Sequence, residues 1–417
     1  MIETEHVAVV KVSGRELDDI LEEAGTRTPV YVYDADAAVK AAREYQEAFS
    51  WFPDRVYVCY AMKANFNPYL VEHIVDETRA ADVVSLWEMK VAVNAGAETV
   101  VVNGNAKSSD EIRAAVERSW VINVDSFEEF QRIEKIARHE GERALVALRV
   151  NPKVSPDTHS HIATAVEGSK FGVELEIAER VCRRMIESEW VEFLGLHYHI
   201  GSQITDLRPF SEALRSVRTF LEDTGLIEEI SYLNIGGGLG IRYRRGEEVP
   251  SPHDLAEELQ EDLKELHSES SGFDLYLEPG RSIVGEAGIL VTSVRQVKRG
   301  RRRWVFVDTG MNALIRPALY DAYHEVVVHG GDYSATEKAS VAGPLCESGD
   351  VLAEDRELPI DISEGDLVVF LSAGAYCESM ASNYNCYPIP GSVVVRNGEI
   401  TGVRRVQDYE AFSKTWW

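Results

Sequence analysis

Residues Tyr232–Arg281 read YLNIGGGLGIRYRRGEEVPSPHDLAEELQEDLKELHSESSGFDLYLEPGR, and this stretch decides the fold. It opens on a short apolar run, Tyr232–Ile235, that stops at three glycines. Leu255, Leu259, Leu263 and Leu266 then recur at i, i+4, i+8 and i+11, one stripe of a helix over Ser251–His267. Ser251 suits the N-cap and Pro252 the first helical position. A second apolar run, Asp274–Leu277, ends in Glu278-Pro279-Gly280-Arg281. Strand, turn, helix and strand make one βαβ unit, which requires a parallel sheet.

The same alternation extends backward to about residue 55. Candidate strands are Val56–Cys59, Ala81–Ser85, Thr99–Asn103, Trp120–Val124, Ala144–Val150 and Phe193–His199, which with the two above make eight. Ile177–Ile186 and Leu214–Leu226 are further amphipathic helices. Eight such strands in about 225 residues fit one (β/α)8 TIM barrel. A doubly wound open sheet uses the same units and is the alternative.

Beyond residue 282 the pattern changes to strands with few helices: Ile289–Val297, Trp304–Val307, His324–Val328, Asp366–Leu371 and Val393–Arg396. Asn397-Gly398 between VVVR and EITGV is a hairpin signal. The expected organisation is therefore a 28–280 barrel and a 281–417 β domain. Residues 1–27 form an N-terminal segment whose run Val7–Val12 is expected to join the β sheet. The basic run Lys298–Arg303 reads as a solvated hairpin turn.

Composition narrows the function classes. Apolar residues are 45% and charged residues 27% of 417, ordinary for a globular chain with a large core. The run MIETEHVAVVKV lacks a secretory leader's basic flank and long apolar stretch, and no apolar run reaches membrane-spanning length. Asp and Glu number 70 against 43 Lys and Arg, a net charge of −27, which repels nucleic-acid phosphates. Of the 43 basic residues only 12 are lysine; an acidic, lysine-poor surface suits a cytosol of high ionic strength. Five cysteines without a CxxC pair argue against a disulfide scaffold or a zinc site and for a reducing cytoplasm.

Reactive groups of a barrel sit at the C-terminal ends of its strands. Here those ends carry Lys63, Asp82, Arg149, His199, Gly236-Gly237-Gly238 and Glu278-Pro279-Gly280-Arg281. Each alone has a plain reading: a solvated lysine, a packed histidine, a glycine turn. GGGLG lacks the GxGxxG spacing of a dinucleotide loop. Together they supply three needs. Glycine amides after strands seven and eight form the usual barrel phosphate site. A lysine bonds covalently to an aldehyde. A carboxylate keeps a pyridine nitrogen protonated. Those needs describe pyridoxal 5′-phosphate (PLP).

Tyr60–Asn65 (YAMKAN), Arg149–Pro152 (RVNP), His197–Gln203 (HYHIGSQ), Gly236–Gly240 (GGGLG), Glu278–Arg281 (EPGR), Cys346–Asp350 (CESGD) and Gly374–Tyr376 (GAY) follow one another in this order. The set resembles the fold-type III PLP-dependent amino acid decarboxylases, whose architecture is an alanine racemase-like barrel followed by a C-terminal β domain. The likeness spans about residues 28–395. It implies that Lys63 anchors PLP, that His199 stacks on its ring, and that Glu278 pairs with its ring nitrogen. It implies that Gly236, Gly237, Gly238, Gly280 and Arg281, with Ser202 and Tyr376, hold the phosphate, and it places Asp82 and Arg149 beside the cofactor. The nearest likeness is to the branch that converts meso-2,6-diaminopimelate to L-lysine and CO2, the last step of lysine biosynthesis. There Arg281, Arg316 and Tyr320 would take the distal carboxylate, Glu347 the distal amine, and Tyr376 would also face substrate. An arginine fork grips a carboxylate in two-pronged fashion. Cys346 would be the general acid, since a thiol is mostly protonated at neutral pH. The likeness also implies a homodimer with shared active sites, and no metal.

Related decarboxylases acting on ornithine, arginine or a carboxylated polyamine precursor are the alternative; Arg316, Tyr320 and Glu347 argue against them. A catalytically dead PLP-fold protein would have lost Lys63 or Cys346. The chain departs from the family pattern at Leu86-Trp87-Glu88, where small residues are usual, at Ala313, and at Asn385–Pro388. Trp87 is expected to pack against a helix.

Overall fold

The computed structural model describes residues 2–3, 7–154, 169–414 and 416. The chain divides into two compact units. One comprises Ala41–Ile241 and Val249–Ser282; the other Met1–Lys40, Arg242–Glu248 and Ile283–Trp417.

The first unit is a parallel barrel. Its strands are Val56–Val58 with Tyr60–Ala61, Ala80–Val83, Thr99–Val102, Val121–Val124, Ala144–Asn151, Val191–His197, Tyr232–Asn234 and Asp274–Leu277. Neighbours along the chain pair in parallel around the sheet. Closure occurs at Cys59. Before it, Val56–Val58 pairs with Asp274–Leu277; after it, Tyr60–Ala61 pairs with Ala80–Val83. The first strand thus serves both edges and closes the sheet, which an open doubly wound sheet does not do. The interior is filled by Cys59, Ala80, Val101, Val121, Ala147, Tyr232 and Tyr276. Small residues on most strands leave room for the two tyrosine rings, whose centroids lie 4.3 Å apart.

Helices begin where local chemistry starts them. Pro252–Glu269 has Ser251 as N-cap, its side chain and that of Asp254 forming a capping box. Such a cap is worth about 1 kcal/mol. Its buried face is Leu255, Leu259, Leu263 and Leu266, the stripe read from spacing. Ser108 with Glu111 builds a second capping box on Ser109–Glu117.

The second unit is built on a nine-stranded, mainly antiparallel sheet. Gly288–Lys298 is central, pairing with Trp304–Val307, Leu367–Phe370 and Val30–Asp34. Alternate residues Val30, Val32, Ile289, Val291, Val393 and Val395 share one core, as a two-residue period requires. Asn397, with φ +52°, and Gly398, with φ +75°, make the tight turn between Gly391–Arg396 and Glu399–Arg404.

Several expectations need correction. Val30–Asp34 is a strand of this sheet, so residues 28–40 do not open the barrel, and Arg242–Glu248 also counts with the β unit. Val9–Val12 does not join the large sheet. Ser13 and Gly14, both at positive φ, fold it back at once onto Arg15–Glu16, and the resulting small sheet also takes in Ile2–Glu3. Its side chains Val10 and Val12 still enter the common core. Thr336–Ala342 and Val351–Pro359, too polar to read as strands, pair with each other antiparallel. Within the basic run, Arg303 is buried and donates to the Pro359 carbonyl at 2.7 Å. Trp87, expected to pack against a helix, is 80% exposed at the start of the helix Leu86–Asn94.

Candidate active site

The barrel gathers Lys63, Asp82, Arg149, His199, Ser202, Gly236–Gly238, Glu278, Gly280 and Arg281 within its own unit. Lys63 follows the first strand directly, and its Nζ lies 2.6 Å from Asp82 Oδ2. Asp82 is fully buried in the second strand while the lysine is 34% exposed. Burial pushes the Asp82 carboxyl up, and Glu278 adds to this, against the opposing pull of Lys63.

Glu278 follows the eighth strand and is buried. Its Oε1 accepts from Asn103 Nδ2 at 2.7 Å, Asn234 Nδ2 at 2.7 Å and Asn123 Nδ2 at 3.4 Å. Its Oε2 lies 3.2 Å from His197 Nε2. Burial opposes ionisation, but His197, Lys63 and the Asn103 amide outweigh it and hold this carboxyl well below the usual range. Burial pushes His197 below its ordinary value, against the opposing pull of Glu278; a neutral ring with its hydrogen on Nε2 donates to this carboxylate.

The glycine loop stands on the same network. Asn234 Oδ1 accepts from Gly236 N at 2.8 Å, and His199 Nδ1 accepts from Gly237 N at 3.1 Å. Burial and the nearby Lys63 and Arg149 push His199 well down, so its ring is neutral. Gly236 has φ +69°, and a Cβ there would stand 2.5 Å from the Tyr198 carbonyl oxygen. Cβ atoms at Gly237 and Gly238 would collide with the carbonyls of Glu278 and Gly201. Beside the loop, Arg281 donates from Nε and Nη2 to Ser202 Oγ at 3.2 and 3.0 Å. Arg149 lies over the Phe171 ring at 4.5 Å, with Nε 3.7 Å from Asp125 Oδ1.

Asn103, Asn123, Asn234, Tyr232 and His197 were not singled out by sequence reasoning as site residues. Their signal was present: TVVVN, VINV and YLN each carry one asparagine in an apolar strand. His197 stands two residues before His199, the spacing of one strand face.

The remaining predicted residues lie in the antiparallel unit. Arg316 is buried; its guanidinium covers the Tyr243 ring at 4.5 Å and its Nη1 donates to His324 Nε2 at 2.8 Å. Its Nε has no hydrogen-bond partner among the described residues. Tyr320 ends the short helix Arg316–Tyr320. Cys346 is exposed, its amide donating to Asn385 Oδ1 at 2.7 Å. Glu347 accepts from the Gly349 amide at 3.2 Å and from Tyr384 Oη at 3.4 Å. Tyr376 holds a positive φ of +57°. Among the described residues no cluster of His, Cys, Asp and Glu suits a metal, and no helix is long and apolar enough to cross a membrane.

A lysine at a barrel mouth, a buried ionised glutamate and a loop where three side chains are forbidden are the donor set that PLP needs: an amine, an anion for its ring nitrogen and bare amides for its phosphate. The residues present fit the cofactor. The model of the family described as pyridoxal-dependent decarboxylase, pyridoxal binding domain, matches residues 36–285. The chain belongs to the pyridoxal-dependent decarboxylases, and its cofactor is PLP.

Its relatives are more particular. The diaminopimelate decarboxylase of Aquifex aeolicus (strain VF5) is 39% identical over 404 residues, 96% of this chain and 93% of the relative. That of Archaeoglobus fulgidus is 40% identical over 406 residues, 96% and 95% of the two chains. The solved diaminopimelate decarboxylase of M. jannaschii in co-complex with L-lysine superposes with a TM-score of 0.91 at 35% identity, covering 100% of this chain and 99% of that one.

Proposed function

We propose that this chain is a diaminopimelate decarboxylase, converting meso-2,6-diaminopimelate to L-lysine and CO2, the last step of lysine biosynthesis. The observation that carries the reading is the unbroken hydrogen-bonded path Lys63–Asp82–Asn103–Glu278 at the mouth of the barrel, in a chain that matches relatives of that name over nearly its whole length.

PLP, when bound, supplies an electron sink for the pair left by the broken carbon–carbon bond. Lys63 would be the amine that anchors it, and Asp82 holds that amine in place. Glu278, kept ionised by its amide and histidine donors, holds a proton at the ring nitrogen. His199, neutral and fixed by the Gly237 amide, would stack on the ring, and Arg149 would stand beside the cofactor. Gly236–Gly238, Gly280, Arg281, Ser202 and Tyr376 hold the phosphate.

Arg281, Arg316 and Tyr320 take the distal carboxylate, with Tyr376 facing substrate and Glu347 taking the distal amine. That carboxylate distinguishes diaminopimelate from ornithine and lysine, which lack it. Cys346 delivers the proton to the carbon that loses CO2. In this reading two copies assemble, and the partner's Cys346 and Glu347 complete each site. The enzyme works in the cytoplasm; five cysteines without a disulfide support a reducing compartment.

The test is CO2 release by PLP-loaded protein from meso-diaminopimelate, with L-ornithine, L-arginine and L-lysine in parallel. Turnover of diaminopimelate alone is expected. Preference for another substrate overturns the assignment of the distal contacts while leaving the pyridoxal chemistry intact.

A further inference from the structure

Asp82 and Glu278 are two carboxylates in one buried site, and the side chain of Asn103 touches both. Asn103 Nδ2 donates to Asp82 Oδ1 at 2.7 Å and to Glu278 Oε1 at 2.7 Å. Its own Oδ1 accepts from Asn123 Nδ2 at 3.1 Å. That contact fixes the amide: oxygen toward a donor, both N–H bonds toward carboxylates. Asn123 is held in turn by the Tyr232 hydroxyl at 3.1 Å. The bridging amide therefore has one orientation that satisfies every neighbour.

Two buried carboxylates bridged by one side chain ordinarily share a proton, and one of the pair stays neutral. Here Lys63 faces Asp82 and His197 faces Glu278. The charge of Arg149 acts on both acids, and neutral His199 stands nearby. Cys59, Glu88 and Tyr232 are weak acids around the pair. Lys63 pulls on both acids through its charge, and Asn103 donates a hydrogen bond to each of them at once.

We propose that Asn103 is the positioning residue that lets Asp82 and Glu278 be ionised together, so that charge at the lysine end and at the ring-nitrogen end of the site are set independently. An apolar side chain of similar size would leave the two acids to share one proton. Lys63 would then lose part of its counter-ion, or the ring nitrogen part of its anion. The inference rests on the pyridoxal reading above.

The experiment compares the PLP-loaded wild type with Asn103→Leu and Asn103→Ser. Cofactor absorbance, cofactor dissociation constant, and kcat and KM for meso-diaminopimelate are followed from acid to alkaline pH. In Asn103→Leu the acid-side midpoint of the absorbance should move up by about one pH unit or more, with kcat falling while KM holds. Asn103→Ser, able to reach one carboxylate only, should fall between. A merely structural role would lower the melting temperature and leave the pH midpoint in place, which overturns the proposal. Should Asn103→Leu fail to fold, Asn103→Ser decides by the same criterion. Infrared spectra of the wild-type holoenzyme decide independently of both: a protonated carboxyl band at pH 7 that disappears in Asp82→Asn overturns the proposal, and its absence supports it. Wild-type protein that neither binds PLP nor releases CO2 would sink the pyridoxal reading instead.

Discussion

Lys63 Nζ lies 2.6 Å from Oδ2 of Asp82, and the two differ sharply in exposure: the carboxylate is fully buried, the ammonium about one-third open. An ion pair placed this way holds its charge on the inside and offers its amine to the outside. The barrel wall supplies the anion and the mouth supplies access.

Lys63→Ala is therefore expected to abolish covalent retention of PLP and to lower CO2 release by several orders of magnitude. Mass spectrometry after borohydride reduction reads the first effect directly. A cofactor still fixed to the chain after reduction would place the anchor elsewhere. The substitution also strips Asp82 of its counter-ion, leaving the Asn103 amide as a donor; a destabilisation of roughly 1–3 kcal/mol is expected. Asp82→Asn in the same background should restore part of it.

Glu88 gives the cofactor-free protein a pH dependence. Its carboxyl is buried and pushed up to about 7, burial outweighing the Val84 amide that donates to it. An acid whose folded value is raised stabilises the fold while protonated. That contribution is complete below the unfolded value, roughly 4.3, and is lost as pH rises through about 7. Glu88→Gln should flatten the fall in melting temperature between these limits, the difference reaching at most roughly 4 kcal/mol. A wild-type curve that is already flat there would contradict the burial argument.

Cys346→Ala tests the proton donor. Loss of a positioned general acid slows turnover by about 10²–10⁴-fold. PLP should remain bound, because the barrel residues that hold it are untouched. Full activity in the variant would remove the thiol from the reaction.

The net charge of −27 gives a fourth expectation. The screening length falls from about 10 Å at 0.1 M salt to about 3 Å at 1 M. Self-repulsion of the acidic surface should weaken accordingly, so melting temperature and activity should hold or rise into molar KCl. A steep loss of both would show that exposed ion pairs, such as Arg218 with Glu222 and Glu269, matter more than the net field.

The sequence by itself determined the elements whose cause is local. Apolar alternation marked the strands of the barrel, the leucine spacing and Ser251 cap marked the long helix, and Asn397-Gly398 marked its hairpin, because propensity and capping act within a few residues. The motif order also exposed the lysine, the glutamate and the glycine loop. Tertiary structure alone decided what depends on distant partners. Val30–Asp34 reads as a strand in any sheet, and only its pairing with Gly288–Lys298 and Gly391–Arg396 assigns it to the antiparallel unit. Trp87 reads as a packing residue, and only the folded chain shows it largely exposed. Asn103 directly follows one strand, Asn123, Asn234 and His197 sit on three others, and each alone is an ordinary polar residue beside or in an apolar run. Closure of the barrel at Cys59 brings them around one carboxylate, and a buried charge is stable only where such donors converge.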